Sequence, residues 1–447
     1  MSWAEEELSG ISLGDARLNK RAGKLLSSMS SRPQASIPQA CGGTAEIKAA
    51  YRLIDRNDVD WCDLMAPHWG KSLQRMSGET VVLCIQDTTE LNFNGRQTQG
   101  LGRLSYDAQR GMYAHLTYAV TPHRLPLGVL DCWMWARKAR GEPDLLESTR
   151  WIEGYEGIAE MATQLPTTRL VYVADREADI GALLARAQAL DYPADLLIRV
   201  QHDRKLDGTE GSILTALSEA PALGEIAFAL ASGRGRKART VTQRVSVVRS
   251  LVRLPGHQTT TLTIVEALEH DAPAGETPVC WRLLTNRQID DLAQAGELID
   301  WYRSRWEIEM YFHIVKTGCQ VEQLQLETID RIERALSLYL MVAWRIHSLM
   351  RLGRQCPDVG CEIAFETDEW QAAYLLAKKK PPAAPPTLNE VIRLVASAGG
   401  FMGRKGDGQP GAKAIWSGMQ ALYFFVEGMR AVRNFTEGKS YGYWDGL

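Results

Sequence analysis

Val81-Val-Leu-Cys-Ile-Gln-Asp87-Thr-Thr-Glu90 is an apolar run closed by an acid, and Leu170-Val-Tyr-Val-Ala-Asp175-Arg-Glu-Ala-Asp-Ile180 repeats the pattern. Short apolar runs of this kind read as buried strands, each delivering an aspartate at or near its carboxyl end. In open α/β sheets that edge is where ligands bind, so Asp87 and Asp175 on neighbouring strands are placed to share a site. Either aspartate taken alone also reads as a turn former or helix cap.

A third acid comes from Asp300-Trp-Tyr-Arg-Ser-Arg-Trp-Glu-Ile-Glu-Met-Tyr-Phe-His-Ile-Val-Lys316, which reads as one helix. Helical spacing gathers Tyr302, Arg305, Glu309, His313 and Lys316 into a sector of roughly 80°, beside an apolar stripe of Trp301, Ile308, Phe312 and Val315. An ordinary amphipathic helix with a solvated charged face has the same pattern. Set beside two strand-end aspartates, however, a glutamate among Tyr, Arg, His and Lys suits a carboxylate that shares a metal while its neighbours hold phosphates.

Together, Asp87, Asp175 and Glu309 resemble the acidic triad of DDE transposases with a ribonuclease-H-like core. Gln86-Asp-Thr-Thr, Asp175-Arg-Glu-Ala-Asp-Ile and Tyr302-x-x-Arg305-x-x-x-Glu309-x-x-x-x-x-x-Lys316 are similar to the signature blocks of the insertion-sequence-four family, Tn-five-like branch. The resemblance runs from Gly14-Asp-Ala-Arg17 to Gly399-Gly-Phe-Met402 and Trp416. One departure is His313, where close relatives carry a lysine. The resemblance implies a mixed α/β sheet core with an inserted β-subdomain, flanked by amino-terminal and carboxyl-terminal helical domains. It also implies cut-and-paste DNA transposition through a hairpin intermediate. Asp87, Asp175 and Glu309 would hold two Mg²⁺ or Mn²⁺ ions about 4 Å apart, one activating water or a 3′-hydroxyl and the other stabilising the leaving oxygen. Tyr302, Arg305 and Lys316 would hold phosphates and a displaced base, with Arg199, Trp281 and His313 as further DNA contacts. The implied partners are the double-stranded transposon ends, the target DNA and a second copy of the chain in a paired-end complex. Two alternatives stay open: a metal-dependent nuclease of the same core without strand transfer, and an end-binding or inhibitory protein whose centre is unused.

The remaining sequence bounds these readings. At 447 residues the chain is too long for one compact core. The expected domains are a helical DNA-end-binding region over 1–72, a catalytic domain over 73–375 with a β-rich insertion at about 201–285, and a helical dimerisation region over 376–447. Lys plus Arg total 51 against 54 for Asp plus Glu, so any DNA surface must come from local clustering. One such cluster is Arg17, Lys20, Arg21 and Lys24, at helical spacing behind the capping residue Asp15, with Lys48, Arg52 and Arg56 extending it from a second helix at Ala45–Ile54. Between these helices, Ser31 to Gly43 reads as a loop. Gly233-Arg-Gly-Arg-Lys-Ala-Arg239 reads as a basic tip that follows a DNA backbone or is simply solvated. Lys378-Lys-Lys-Pro-Pro-Ala-Ala-Pro-Pro386 reads as a linker. The eight cysteines form no Cys-x-x-Cys pair and suit a reducing bacterial cytoplasm. The acidic amino terminus is not a signal peptide, and no run of roughly 18 apolar residues suggests a membrane span. No Walker-type loop points to a nucleotide cofactor.

Overall fold

The computed structural model describes residues 2–138, 146–230 and 237–437. Most of the Gly233–Arg239 tip lies outside them. Residues 237–239 of it are described, and Arg239 is ion-paired with Glu269 and Glu276.

Five helices come first: α1 (Trp3–Glu7), α2 (Ala16–Ser31), α3 (Ile37–Ala40), α4 (Thr44–Ile54) and α5 (Trp61–Met76). The Asp15 carboxylate caps α2 by accepting from the Arg17 amide at 2.7 Å, and Leu18, Ala22, Leu25, Leu26 and Met29 form its buried face. The stretch expected to be loop throughout, Ser31 to Gly43, contains α3. Its start is a capping box in which Ser36 and Gln39 hold each other's backbone amides.

The sheet follows: β1 (Val81–Asn92), β2 (Gly102–Arg103), β3 (Arg110–Val120) and β4 (Pro126–Trp135), then α6 (Thr149–Gln164), β5 (Arg169–Ala174), α7 (Gly181–Ala189) and β6 (Asp195–Arg199). β1, β3 and β4 form an antiparallel meander, and β1, β5 and β6 pair in parallel. That is the ribonuclease-H-like arrangement. The insertion contributes α8 (Ile213–Glu219), β7 (Ala222–Leu230), β8 (Arg239–Arg253), β9 (Thr259–Glu269) and β10 (Cys280–Thr285). Its strands are no separate body, because β10 pairs antiparallel with β6 and carries the sheet on through β9, β8 and β7.

Strand parity decides which face each acid takes. Leu83, Ile85 and Leu91 of β1, with Val171 and Val173 of β5, enter one buried cluster together with the later helices. Val82 and Cys84, with Leu170, Tyr172 and Ala174, enter a second cluster under α6 and α7. Asp87 and Asp175 share parity with the first set.

The helices on that first face are α9 (Leu292–Arg303), α10 (Trp306–His313), α11 (Ile329–Gln355), α12 (Thr367–Leu376), α13 (Leu388–Ala398) and α14 (Ala412–Thr436). The Pro-rich stretch before α13 has no regular structure, yet the helices beyond it bury Leu388, Val391, Ile392, Trp416 and Leu422 in the same cluster as the sheet. α13 and α14 meet closely through glycine: a Cβ on Gly418 would lie 1.9 Å from the Val395 carbonyl oxygen. Among the described residues, no helix is long and apolar enough to cross a membrane.

Candidate active site

β1 does not end at Asp87. It continues to Asn92, with Asp87 opposite Leu116 of β3, because the residues after the acid alternate, Thr89 and Leu91 inward and Thr88 and Glu90 outward. β5 does end as expected, at Ala174, and Asp175 caps a short 3₁₀ turn by accepting from the Glu177 amide at 2.8 Å. The last parallel pair is Gln86 with Ala174, so the two aspartates are the next residues on adjoining strands.

The segment expected as a single helix is three pieces. Ser304 is fully buried and its hydroxyl donates to the Asp300 carbonyl at 3.2 Å, a back-bond that tightens the end of α9. The Arg305 amide then bonds to Tyr302 rather than Trp301, and α10 starts afresh at Trp306. Beyond His313 the chain widens into a π turn, Ile314–Gly318, closed by the Cys319 amide on the Ile314 carbonyl at 2.8 Å. Lys316 rides on this turn.

These pieces bring Asp87, Tyr302 and Glu309 together around Arg305. Its guanidinium donates to Asp87 Oδ2 at 2.9 Å and to Glu309 Oε1 at 2.6 Å. Burial, the largest influence, raises the Asp87 carboxyl to about 6 against the pull of Arg305, and the charges of Asp175 and Glu309 push the same way as burial. Asp87 therefore feels both of the other carboxylates. Tyr302 is buried, its phenol raised by desolvation while Arg305 and Arg199 oppose that rise. Arg199 closes β6 opposite Leu283. Lys316 is half-buried, its ammonium lowered by desolvation against the favourable charges of Glu322 and Glu90.

Other expected contacts lie apart from this centre or touch it indirectly. Trp281 is half-buried and stacks on Phe228 of β7, centroids 5.2 Å apart. His313 is exposed and leans on the buried Trp416 of α14 at 5.8 Å. Arg17, Lys20, Arg21 and Lys24 line a groove of about 310 Å³ between α2 and α4, while Arg56 is taken up by Asp58. Of the neighbouring acids, Asp179 is fully buried and holds the Gln201 and His202 amides at 2.7 and 2.9 Å. Glu90 accepts from the Ser105 amide at 2.8 Å.

Two features of this region carry no expectation from the sequence. Trp306 and Met310, 60% and 36% exposed, flank Glu309 and make the rim of the site apolar; their i, i+4 spacing was the available signal. Beneath the site, Glu307 is buried against Arg351 and His347, and His347 in turn accepts from the Tyr118 hydroxyl at 3.0 Å. Nothing local announces this network, since its partners lie on α11 and β3.

The donor set fits a hard divalent cation, which prefers carboxylate oxygens. As they stand among the described residues, no three acidic, His or Cys groups are closed around a metal-sized space, and Arg305 bridges Asp87 and Glu309.

Comparison with known proteins agrees with this architecture. A transposase DNA-binding model matches residues 1–59, a transposase DDE-domain model residues 155–345, and a Tn5 transposase dimerisation-domain model residues 341–439. Asp175 and Glu309 fall inside the matched DDE segment and Asp87 precedes it. A solved piggyBac transposase synaptic complex with hairpin DNA aligns over 100% of this chain and 82% of its own, at 10% identity and a TM-score of 0.40. With matches to a DNA-binding region, a catalytic domain and a dimerisation domain in that order, the chain belongs to the Tn5-like DDE transposases.

Proposed function

We propose that this DNA transposase cuts and joins transposon ends at a centre made by Asp87, Asp175 and Glu309, which hold two Mg²⁺ or Mn²⁺ ions. The observation that carries the reading is that Arg305 bridges Asp87 and Glu309 while the charge of Asp175, on the adjoining strand, acts on Asp87. Bound there, the ions supply Lewis-acid charge and an activated oxygen nucleophile. The protein's own groups do the rest. Arg305 and Lys316 offer fixed positive charge to phosphate oxygens, and buried Tyr302 walls the site against water. Arg199 and the half-buried Trp281 extend the contact surface toward the insertion, and His313 extends it toward α14. The groove with Arg17, Lys20, Arg21 and Lys24 tracks the end's backbone. Because only the nucleophile changes between hydrolysis and transesterification, the same carboxylates serve a hairpin route in which a 3′-hydroxyl attacks and water later reopens the product.

The test uses the full chain, labelled ends and a target plasmid. Changing Asp87, Asp175 or Glu309 singly to Ala should abolish cleavage and joining while end binding in a gel shift stays nearly intact, since phosphate contacts elsewhere supply that affinity. Joining by any of these variants, or by the wild type in EDTA, overturns the assignment. Cleavage of ends without joining of pre-cleaved ends to the plasmid selects the nuclease reading instead. Hairpin-ended products on a denaturing gel report the hairpin route, and their absence at every time point removes it.

A further inference from the structure

We propose that Gln86 and Tyr172 are positioning residues that set the spacing of the two aspartates from the opposite face of the sheet. Gln86 directly precedes Asp87 and is 1% exposed. Its Oε1 accepts from the Tyr172 hydroxyl at 2.7 Å, and its Nε2 donates to the Thr117 hydroxyl at 3.2 Å. The Tyr172 hydroxyl also lies 3.4 Å from the Trp151 carbonyl oxygen. One buried amide thus ties β1 to β3 on one side and to β5 on the other, and through Tyr172 reaches α6.

Its place in the ladder gives this tie its purpose. Gln86 pairs with Ala174, the last residue of β5, so the amide sits at the final β1–β5 rung before Asp87 and Asp175 diverge into the site. A strand rung at a sheet's end frays readily when only backbone bonds hold it, whereas a buried amide bonded through both its oxygen and its nitrogen resists any slide, because moving it strands a polar group without water. The surroundings are shaped for this side chain. Residue 154 on α6 is glycine, and a Cβ there would fall 1.5 Å from Gln86 Nε2. Neither Gln86 nor Tyr172 faces the acids; strand parity sends both to the α6 side. They act through the backbone that carries Asp87 and Asp175.

This inference rests on those two aspartates being metal ligands, and the experiment separates the two claims. Tyr172→Phe removes one hydroxyl at nearly constant volume, and Gln86→Leu removes the amide. Mn²⁺ binding is measured by calorimetry on the full chain in complex with pre-cleaved end DNA, alongside end binding in EDTA, melting temperature and cleavage rate against Mn²⁺ concentration. The expected result is wild-type end binding in EDTA, with Mn²⁺ affinity lowered roughly five- to tenfold in both variants. Half-maximal cleavage should move to correspondingly higher Mn²⁺, with much of the rate recovered at saturation. Gly154→Ala, which crowds the amide without touching it chemically, should do the same. Variants that melt lower but keep wild-type Mn²⁺ affinity and metal dependence make the amide a packing feature and overturn the proposal. Asp87→Asn is the control: if it binds Mn²⁺ like the wild type, the ligand assignment itself fails, and the positioning claim falls with it.

Discussion

Burial raises the Asp87 carboxyl to about 6 while Arg305 pulls it down, and this places a pH limit on any reaction that needs the carboxylate. Below about 6 the proton occupies the oxygen that a divalent ion would use. Cleavage at fixed, subsaturating Mn²⁺ should therefore fall close to tenfold per pH unit on the acid side of about 6, and raising Mn²⁺ should push that fall to lower pH, since proton and metal compete. A pH profile that stays flat to pH 4.5 contradicts the assignment of Asp87 as a ligand. Glu307, two positions from Glu309, does not share this exposure to metal: it is committed to His347 and Arg351. Its change to Gln should act through folding, lowering the melting temperature along with activity.

At the level of elements, α2 presents its four basic side chains to a groove shared with α4. Replacing Arg17 and Lys20 by Ala should weaken end binding and reduce the slope of log affinity against log salt by about 1 to 2; an unchanged slope makes this a solvated face. The α13–α14 pair gives a second check. Gly418→Ala forces a methyl against the Val395 carbonyl and should cost about 1–3 kcal/mol in denaturant unfolding, whereas Gly428→Ala, with open space around it, should not. The sequence showed several of these elements because their patterns are strong: an apolar run into Asp175 and an amphipathic α2. It marked the three acids as candidates because each sits in a distinctive local block. It did not show the break at Ser304 or the π turn under Lys316, since a tightened or widened turn shifts side-chain direction by less than helical spacing resolves. Nor did it show the extent of β1, whose inward Thr89 and Leu91 become a strand signal only once Asp87 is read as part of the strand. Gln86, Glu307 and Asp179 were illegible as structural groups, because what fixes each is a partner far along the chain.

Across the whole molecule, the first helix is tied to the sheet through α5. Glu7 of α1 is buried against His68 and Arg75 of α5. His68 accepts from the Val129 amide at 3.0 Å, and so turns its other ring nitrogen, as a donor, to Glu7. Burial acts to raise the Glu7 carboxyl, but these partners hold it near 2. A carboxyl lowered on folding contributes stability above its unfolded value of about 4.5, lost as pH falls toward about 2. Glu7→Gln should therefore cost on the order of 3 kcal/mol in urea unfolding at pH 7, and the gap from wild type should close on the way to pH 2.5. A gap that does not narrow there assigns the loss to packing. The same cluster that holds α2 and α4 also holds the sheet, α11 and the carboxyl-terminal helices, so DNA-binding, catalytic and pairing segments share one interior.

The bond from Arg305 to Asp87 spans 218 positions. A chain made at roughly 5–20 residues per second needs about ten to forty seconds to pass from one to the other. Through that interval Asp87 is out on the nascent chain with no glutamate to join it. The centre is thus a late event in the life of each molecule, completed only after the end-binding helices and most of the sheet have left the ribosome.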